Sequence, residues 1–553
     1  MEALECKGTS SWTSRTQADQ LLLLDINLIT PPSSAKVIEA ALSQNPHLTS
    51  LPLPRADIIA PENLTQTSGT AEILRQPEVQ TAVTGDFIVL PCDLICEVAG
   101  EALLEAWMIQ QAGLGGAAAG SLDYLGPKMG IGGEKGGRRG GLGVWFQTKS
   151  ESTVKGEETD FVITTPLEAP VVPPPEGSLR SHISKLVYST TTDTLRDITT
   201  EKKSLPIRHG LIRKHGRIRL LTTYRDAHIY LFPHWVLDLV RRNETMDSIS
   251  EDVVGWWAKA TWQTGLGDKL GLREIFYPPE GQDGESGSHS SGLVEEDVDL
   301  ASISTTQTST NLKLSNPKPS PKPSFASRVS TPTPNLSDPL LPKSPLAIPP
   351  MLAYIHPTTS PSTPLIRRID TPALLLFISL HLATLPSLSD SPPTSTPSPF
   401  AHPLKITHPD SISPRTTITS STCLLDANVA VEEKCVITEC VIGANCRIKS
   451  GARLTRCLLM EGVSVGEKAQ LTGCVVGRRA VLGREVVLRE CEVQGGFVVE
   501  EGVEGKGEKF MVFEGLDDEG EGEGEGESEE REDGEDGEDG EEHGHGDGRD
   551  SST

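Results

Sequence analysis

Aliphatic residues in the C-terminal third recur at Leu425, Val431, Ile437, Ile442, Ile448, Leu454, Leu459, Val465, Leu471, Val476, Leu482, Leu488, Val493 and Val499, in steps of six, six and five. The chain between them is mostly polar, with a small residue four positions on (Val429, Cys435, Cys446, Ala452, Ala469, Ala480, Val486) and glycine one position on (Gly443, Gly466, Gly477, Gly483). Three steps make 17 residues, and Cys423, Cys440, Cys457, Cys474 and Cys491 keep that interval without a break. A near-hexad repeat nested in a longer one predicts a parallel β-helix over 421–513, with three short strands completing each triangular coil.

Stacking one coil on the next assigns the thiols a role. One cysteine per coil, always in the same phase, points to the same inward corner of the prism, where a free thiol serves as a small hydrophobe. Zinc sites are built from clustered ligands such as C-x2-C pairs, which this ladder lacks. Cys92 and Cys96, with three residues between them, have the wrong spacing too. Neither a metal nor any other cofactor is expected.

Upstream, over 20–280, the pattern changes to short apolar runs alternating with amphipathic stretches. INLITPP reads as a buried strand followed by a helix over 35–43; ADIIAPE gives a second strand and GTAEILRQPEVQ a helix. DFIVLPCDLI is a strongly apolar strand containing Asp93, with a helix over 100–111 after it. Such alternation predicts an α/β domain with a largely parallel sheet covered by helices on both faces. RHGLIRKHGRIRLLTTYRDAHIYLF places Arg208, Arg213, Lys214, Arg217 and Arg219 among Ile and Leu, as in a hairpin with one basic, solvated face. Ser248 and Glu251 form a capping box ahead of Val253, Val254, Trp256 and Trp257. The two tryptophans are expected in the core or at a subunit interface, because each brings a large apolar area with one polar handle.

Glycine interrupts this domain over 113–143. A glycine-rich loop cradles phosphate when a strand precedes it and a helix follows; here a strand over 144–148 follows, which predicts a surface insertion. No G-x4-G-K-[ST] occurs, so a P-loop NTPase is excluded.

Composition sharpens the divisions. Residues 281–420 are rich in Ser, Thr and Pro and read as linker, broken by an apolar island over 351–385 that is expected to dock onto a folded domain. The run Ala373 to Leu385 is too short to span a bilayer. The net charge of −27 is concentrated in 514–553, where Glu, Asp and Gly alternate; such a block predicts a disordered acidic tail. Ten cysteines with no recognisable signal peptide point to the reducing cytosol. The sequons at Asn63, Asn243 and Asn335 carry no weight there.

LITPPSSA, GTAEILR, DFIVLPCDLI, RIRLLTTYRDAHIYLFPHWVLDLV and SISEDVVGWWAKATWQTGLGDKLGLREIF, with AYIHP and PLIRRIDT in the linker, resemble the gamma subunits of eukaryotic translation initiation factor 2B. These subunits share the two-domain plan of sugar-nucleotide pyrophosphorylases. The resemblance implies a nucleotidyltransferase-like, Rossmann-like α/β domain followed by a left-handed parallel β-helix. The domain is incomplete here, because the sequence contains no L-x2-G-x-G-x-R-L-x-P-L-T phosphate loop. Asp93 falls where a pyrophosphorylase carries a magnesium-binding aspartate; without that loop it is expected to be vestigial.

The implied function is that of a non-catalytic subunit in the guanine-nucleotide exchange complex for the GTPase that carries initiator tRNA, paired with an epsilon-type catalytic subunit. Trp256 and Trp257 are then candidates for the partner interface. The alternative is a sugar-phosphate nucleotidyltransferase such as a mannose-1-phosphate guanylyltransferase, which requires magnesium, a phosphate loop and two carboxylates. A hexad-repeat acyltransferase is disfavoured, because that class uses a β-helix histidine as base and residues 423–500 contain none.

Overall fold

The computed structural model describes residues 25–44, 56–65, 67–111, 139–148, 154, 157–167, 173–205, 207–277, 346–358, 363–389 and 398–512. Most of the glycine-rich insertion, all of 281–345 and the acidic tail lie outside them.

The α/β region is organised around a mixed six-stranded sheet. Its strands are β3 (Phe87–Val89), β5 (Gly141–Gln147), β6 (Asp160–Pro166), β7 (Ile183–Thr191), β8 (Arg219–Phe232) and β9 (Met351–Ile355), in the order β3-β8-β5-β9-β7-β6. Only β5 and β9 run parallel; the other pairings are antiparallel, including an additional one between β8 and β6. The expectation of a largely parallel sheet is therefore corrected. The parallel βαβ motif exists at the N-terminal end, where β1 (Asn27–Ile29) and β2 (Asp57–Ile59) flank the helix Pro32–Gln44, but this pair forms a separate two-stranded sheet. Its strands are half-buried rather than buried.

The basic segment also folds differently from the expected hairpin. His209–Lys214 is a short helix, and β8 is one long strand that pairs with β6 through its first half and with β5 and β3 through its second. Ser248 caps the following helix by accepting from the Glu251 N–H at 3.4 Å. The reciprocal bond to the Ser248 N–H comes from Asp252, at 3.0 Å, so Asp252 takes the place expected of Glu251. The first turns, Ile249–Val254, are π-helical and pass into the α-helix Gly255–Ala260.

Strand β5 is buried on both faces, which explains its sequence, GLGVWFQ. Leu142, Val144 and Phe146 join one core layer with Trp107, Ile229 and Leu231, whereas Trp145 joins Tyr230, Phe232, Trp235 and Trp257 in another. Gly141 is needed for a close approach: a Cβ there would lie 2.8 Å from both the Trp257 ring and Met351 Sδ.

The C-terminal region is a three-sided parallel β-helix. Three parallel sheets of six, six and five strands stack in 17-residue register, for example Leu425 on Ile442 on Leu459 on Val476 on Val493, after a first pairing of Thr417 with Val436 that spans 19 residues. All fourteen aliphatic positions of the repeat face a single core, together with the five ladder cysteines, Cys435 and Cys446. Winding is already under way at Ile406 and Ile412, which bridge to Leu425 and Val431. Corner residues spaced by 17 adopt left-handed backbone conformations: Asn428, Asn445, Gly462 and Arg479 form one such series, and Glu439, Arg456, Gly473 and Glu490 another.

The apolar island joins the two halves. Strand β4 (Leu94–Cys96) pairs antiparallel with β10 (Ile366–Arg368), and the helix Pro372–Thr384 follows, capped by Thr371. That helix lies across one flank of the prism, where Ile378, Leu375 and Leu382 share a core with Ile95, Leu458 and Val475. Leu458 and Val475 point outward from the prism yet are buried by this helix. The three strands beneath this helix read Val-Ile, Leu-Leu and Val-Val instead of polar-apolar.

Candidate functional site

The site with the densest buried charge lies where the island crosses the sheet. Asp93 immediately precedes β4, and antiparallel pairing with β10 sets Arg368 opposite Leu94. Arg368 consequently closes on Asp93, with Nε 3.1 Å and Nη2 2.9 Å from Oδ2. The neighbouring Arg367 stacks on Phe146, its guanidinium carbon 5.2 Å from the ring centroid, and donates to the Gln147 carbonyl at 2.9 Å. Asp370 completes the crossing by pairing with Arg225 of β8.

Behind these pairs lies a second layer of carboxylates. Asp226 accepts from the His228 N–H at 2.8 Å and from the Tyr230 hydroxyl, while its own N–H donates to Asp160 at 2.6 Å. Burial, and then the charge of Asp226, pushes Asp160 up to about 7; burial pushes Asp226 up to about 6. Burial lowers His228 to about 4, with Arg368 adding to the effect. For Asp370, burial is outweighed by the hydrogen bond and charge of Arg225, so its carboxyl stays below the ordinary value. His228 has φ of 53° inside the strand, where the pairing of β8 with β5 shifts register. A non-glycine residue held in that conformation is a strained position, kept in place by its packed surroundings.

This arrangement does not suit magnesium at Asp93. A hard cation needs carboxylate oxygens free to ligate it, and here the guanidinium of Arg368 occupies them. Among the described residues no cluster of three or more His, Cys, Asp or Glu is arranged to hold a metal ion. The chemistry available is that of a charge-paired joint locking the island onto the sheet.

The two tryptophans part company. Trp257 is fully buried, stacks edge-on against Trp235 at 4.6 Å and donates Nε1 to the Pro349 carbonyl at 2.8 Å, so it belongs to the core of its own domain. Trp256 is 39% exposed. Lys259 Nζ sits 4.6 Å from the Trp256 ring, which borders an open depression of about 540 Å³ shared with Asn243, Asp252, Leu266 and Lys269.

Cys423, Cys440, Cys457, Cys474 and Cys491 are at most 1% exposed. Contact with the Cys440 thiol, and burial besides, pushes Cys457 up to about 12. Its Sγ lies 3.2 Å from the Thr455 carbonyl. A thiol so far from its thiolate form is unreactive. Cys92 is exposed and Cys96 buried, so the two do not share a site.

Asp160, Arg225, Asp226 and Arg368 escaped the sequence reading, although a signal for the last three exists. YRDAHIY and LIRRID set charges inside apolar runs, and a charge carried into a core has to find a partner there.

Comparison with known protein families agrees with the β-helix. The family model described as the GMPPB C-terminal domain matches residues 419–510, the β-helix. Two acetyltransferases are among the solved structures that match: perosamine N-acetyltransferase from Caulobacter crescentus, in complex with CoA and GDP-perosamine, and the acetyltransferase domain of PglB from Neisseria gonorrhoeae FA1090, in complex with acetyl coenzyme A. The first is 23% identical, covers 19% of this chain and 49% of that chain, and has a TM-score of 0.14. The second is 20% identical, covers 19% and 54%, and also has a TM-score of 0.14. The class these features define is an α/β domain joined to a hexapeptide-repeat β-helix. Within it, the chain is similar to the translation initiation factor eIF2B subunit gamma of Schizosaccharomyces pombe (strain 972 / ATCC 24843), with 31% identity over 113 residues. That alignment covers 20% of this chain and 23% of the relative, so the chain spans less than a quarter of the relative's length. The resemblance read from the sequence agrees with this match.

Proposed function

We propose that the chain is a non-catalytic subunit of the guanine-nucleotide exchange complex that serves the initiator-tRNA-carrying GTPase, working in the cytosol beside an epsilon-type catalytic subunit. The observation that carries this reading is the 31% identity to the eIF2B gamma subunit. The pairing of Asp93 with Arg368 supports it, because a nucleotidyltransferase would need that carboxylate for magnesium. The subunit would hold its catalytic partner and favour the nucleotide-free GTPase, which shifts an equilibrium and needs no bond chemistry.

The experiment is release of labelled GDP from the GTPase, with the chain alone, with its epsilon-type partner, and with the pair carrying Asp93→Asn. Exchange is expected only from the pair, and nearly unchanged in the Asp93 variant when the complex is intact. In parallel, the chain is incubated with GTP, mannose 1-phosphate and magnesium. Pyrophosphate released from that mixture and lost in Asp93→Asn would instead establish the nucleotidyltransferase alternative.

A further inference from the structure

Lys185 stands on β7 opposite Thr165 of β6, and cross-strand partners share a face of the sheet. Along β6 that face carries Phe161 and Ile163, which pack with Leu211 of the helix His209–Lys214 and with Trp262. A lysine is thereby set at the edge of an apolar cluster. The chain around Lys214 is fastened to the same place by three bonds. Thr165 Oγ1 donates to the Arg217 carbonyl at 2.8 Å, and Lys214 Nζ donates to the Thr261 carbonyl at 2.7 Å. Trp262, the next residue, donates Nε1 to the Val187 carbonyl of β7 at 2.7 Å. Lys214 and His215 are held in this way against the stretch of sheet that carries Lys185.

The charges there are not balanced. Lys185 is half-buried, its Nζ reaches solvent, and among the described residues it has neither a hydrogen-bond nor an ion-pair partner. Lys214 has no ion pair among them either. His215 Nε2 is buried beside the two lysines without a hydrogen-bond partner. Burial, then the like charge of Lys214, lowers Lys185 to about 8. Burial, then Lys185 and Lys214, lowers His215 to about 4, so the ring is neutral and the two ammoniums are the cations of the cluster. No carboxylate is among the groups that act on Lys185 or His215. A charge drawn out of water is ordinarily paired, and one left without a counterion inside the protein is matched by a ligand that brings the opposite charge.

We propose that Lys185 and Lys214 form a binding site for a single phosphate group, either inorganic phosphate or a small phosphate monoester, with the His215 ring beside it. Two ammoniums are compact point charges that suit a doubly charged oxyanion. A half-buried amine is reached by such a compact anion more readily than by a polymeric one. The bound dianion returns Lys185 towards its ordinary ammonium form, because an opposite charge close by favours the protonated amine.

Inorganic phosphate is the first probe, with sodium chloride at equal ionic strength as the control. At pH 8, phosphate should slow acylation of Lys185 by a soluble succinimidyl ester on the order of tenfold, read by peptide mass spectrometry, because the anion covers the amine and keeps it protonated. At ten times its dissociation constant it should raise the thermal midpoint by roughly 3 °C. Tryptophan fluorescence reports this on the α/β region, since all seven tryptophans precede residue 263. Lys185→Met keeps the apolar stem and removes the charge; it should be at least as stable in chloride and gain nothing from phosphate. Lys214→Gln, at an exposed position, should weaken phosphate protection of Lys185 on the order of tenfold. Phenyl phosphate separates the two sources: protection at lower concentration than inorganic phosphate supports the monoester, and weaker protection supports the free ion. A phosphate-induced rise that is equal in the unmodified chain and both variants would place the ion elsewhere and overturn the proposal. Acylation of Lys185 that neither phosphate nor phenyl phosphate slows would overturn it as well.

Discussion

Arg368 and Asp93 lie 275 positions apart, yet the guanidinium places two nitrogens on the same carboxylate oxygen, at 3.1 and 2.9 Å. Their side chains are 16% and 11% exposed, so water screens the pair little. Removing one member of such a pair leaves an uncompensated charge, and Arg368→Ala should destabilise the fold by about 3 kcal/mol. The double variant Arg368→Met with Asp93→Leu should lose less than Arg368→Ala alone, since no orphan charge remains. Urea unfolding of the single and double variants measures both. Equal loss in the two would mean that packing, rather than charge pairing, holds the island in place.

The WW dipeptide should divide sharply on substitution. Trp257→Ala empties a site between Trp235, Met351 and Gly141 and should cost about 3 to 5 kcal/mol. Trp256→Ala, on the exposed side of the same helix, should stay within about 1 kcal/mol. If the depression beside Trp256 receives a partner, that variant keeps its thermal midpoint while copurifying less of the epsilon-type subunit. Full copurification would remove Trp256 from the interface.

The thiol ladder should respond to volume and not to chemistry. Cys457→Ala should cost about 1 to 2 kcal/mol through a small cavity, and Cys457→Arg should unfold the prism locally. In the native protein a bulky maleimide should label exposed Cys92 quickly and the five ladder thiols only on unfolding. Rapid native labelling of the ladder, read by peptide mass spectrometry, would contradict its burial.

Leu458 and Val475 face out of the prism but lie beneath the helix Pro372–Thr384. Leu458→Glu should therefore release the island, exposing the peptide bonds of 372–384 to limited proteolysis with the β-helix still folded. Val498→Glu, at an outward position that is 62% exposed, is the control and should change nothing. Unaltered proteolysis of the Leu458 variant would show that this contact does not hold the helix.

Asp160 and Asp226 make stability depend on pH in a fixed direction. Their folded values, about 7 and about 6, lie above the ordinary 3.8, so the folded state holds protons that the unfolded chain has already released. Their contribution is fully present below the ordinary carboxylate value and is lost as pH rises through about 6 to 7. Asp160→Asn keeps an acceptor for the Asp226 N–H and removes one titrating group. Relative to the unmodified chain, its stability should rise by about 2 to 3 kcal/mol between about pH 5 and about pH 8. Urea midpoints at the two pH values check the sign; a variant that loses ground at the higher pH would refute it.

The prism was legible because its physics is periodic and local. An inward aliphatic every five or six residues and a cysteine every 17 impose one register, so Leu425, Ile442 and Leu459 could stack in no other way. The left-handed corners were harder to see, because Arg456 and Glu490 stand where Gly473 stands in a neighbouring coil, and the strain is tolerated within a cooperative stack. Many strand and helix positions in the α/β region could be read, although the expected basic hairpin holds the helix His209–Lys214 and DFIVLPCDLI divides into β3 and β4 in different sheets. Its pairing could not: alternation suggested parallel neighbours, whereas β8 chose antiparallel ones at both of its ends. Burial of Trp257 and exposure of Trp256 follow from the rotation of a single helix, a quantity that two adjacent identical letters cannot encode. The joint of Asp93 with Arg368 and of Arg225 with Asp370 belonged wholly to tertiary structure. A buried charge demands a partner without specifying which, and only the return of the island across the sheet brought these residues within hydrogen-bonding distance.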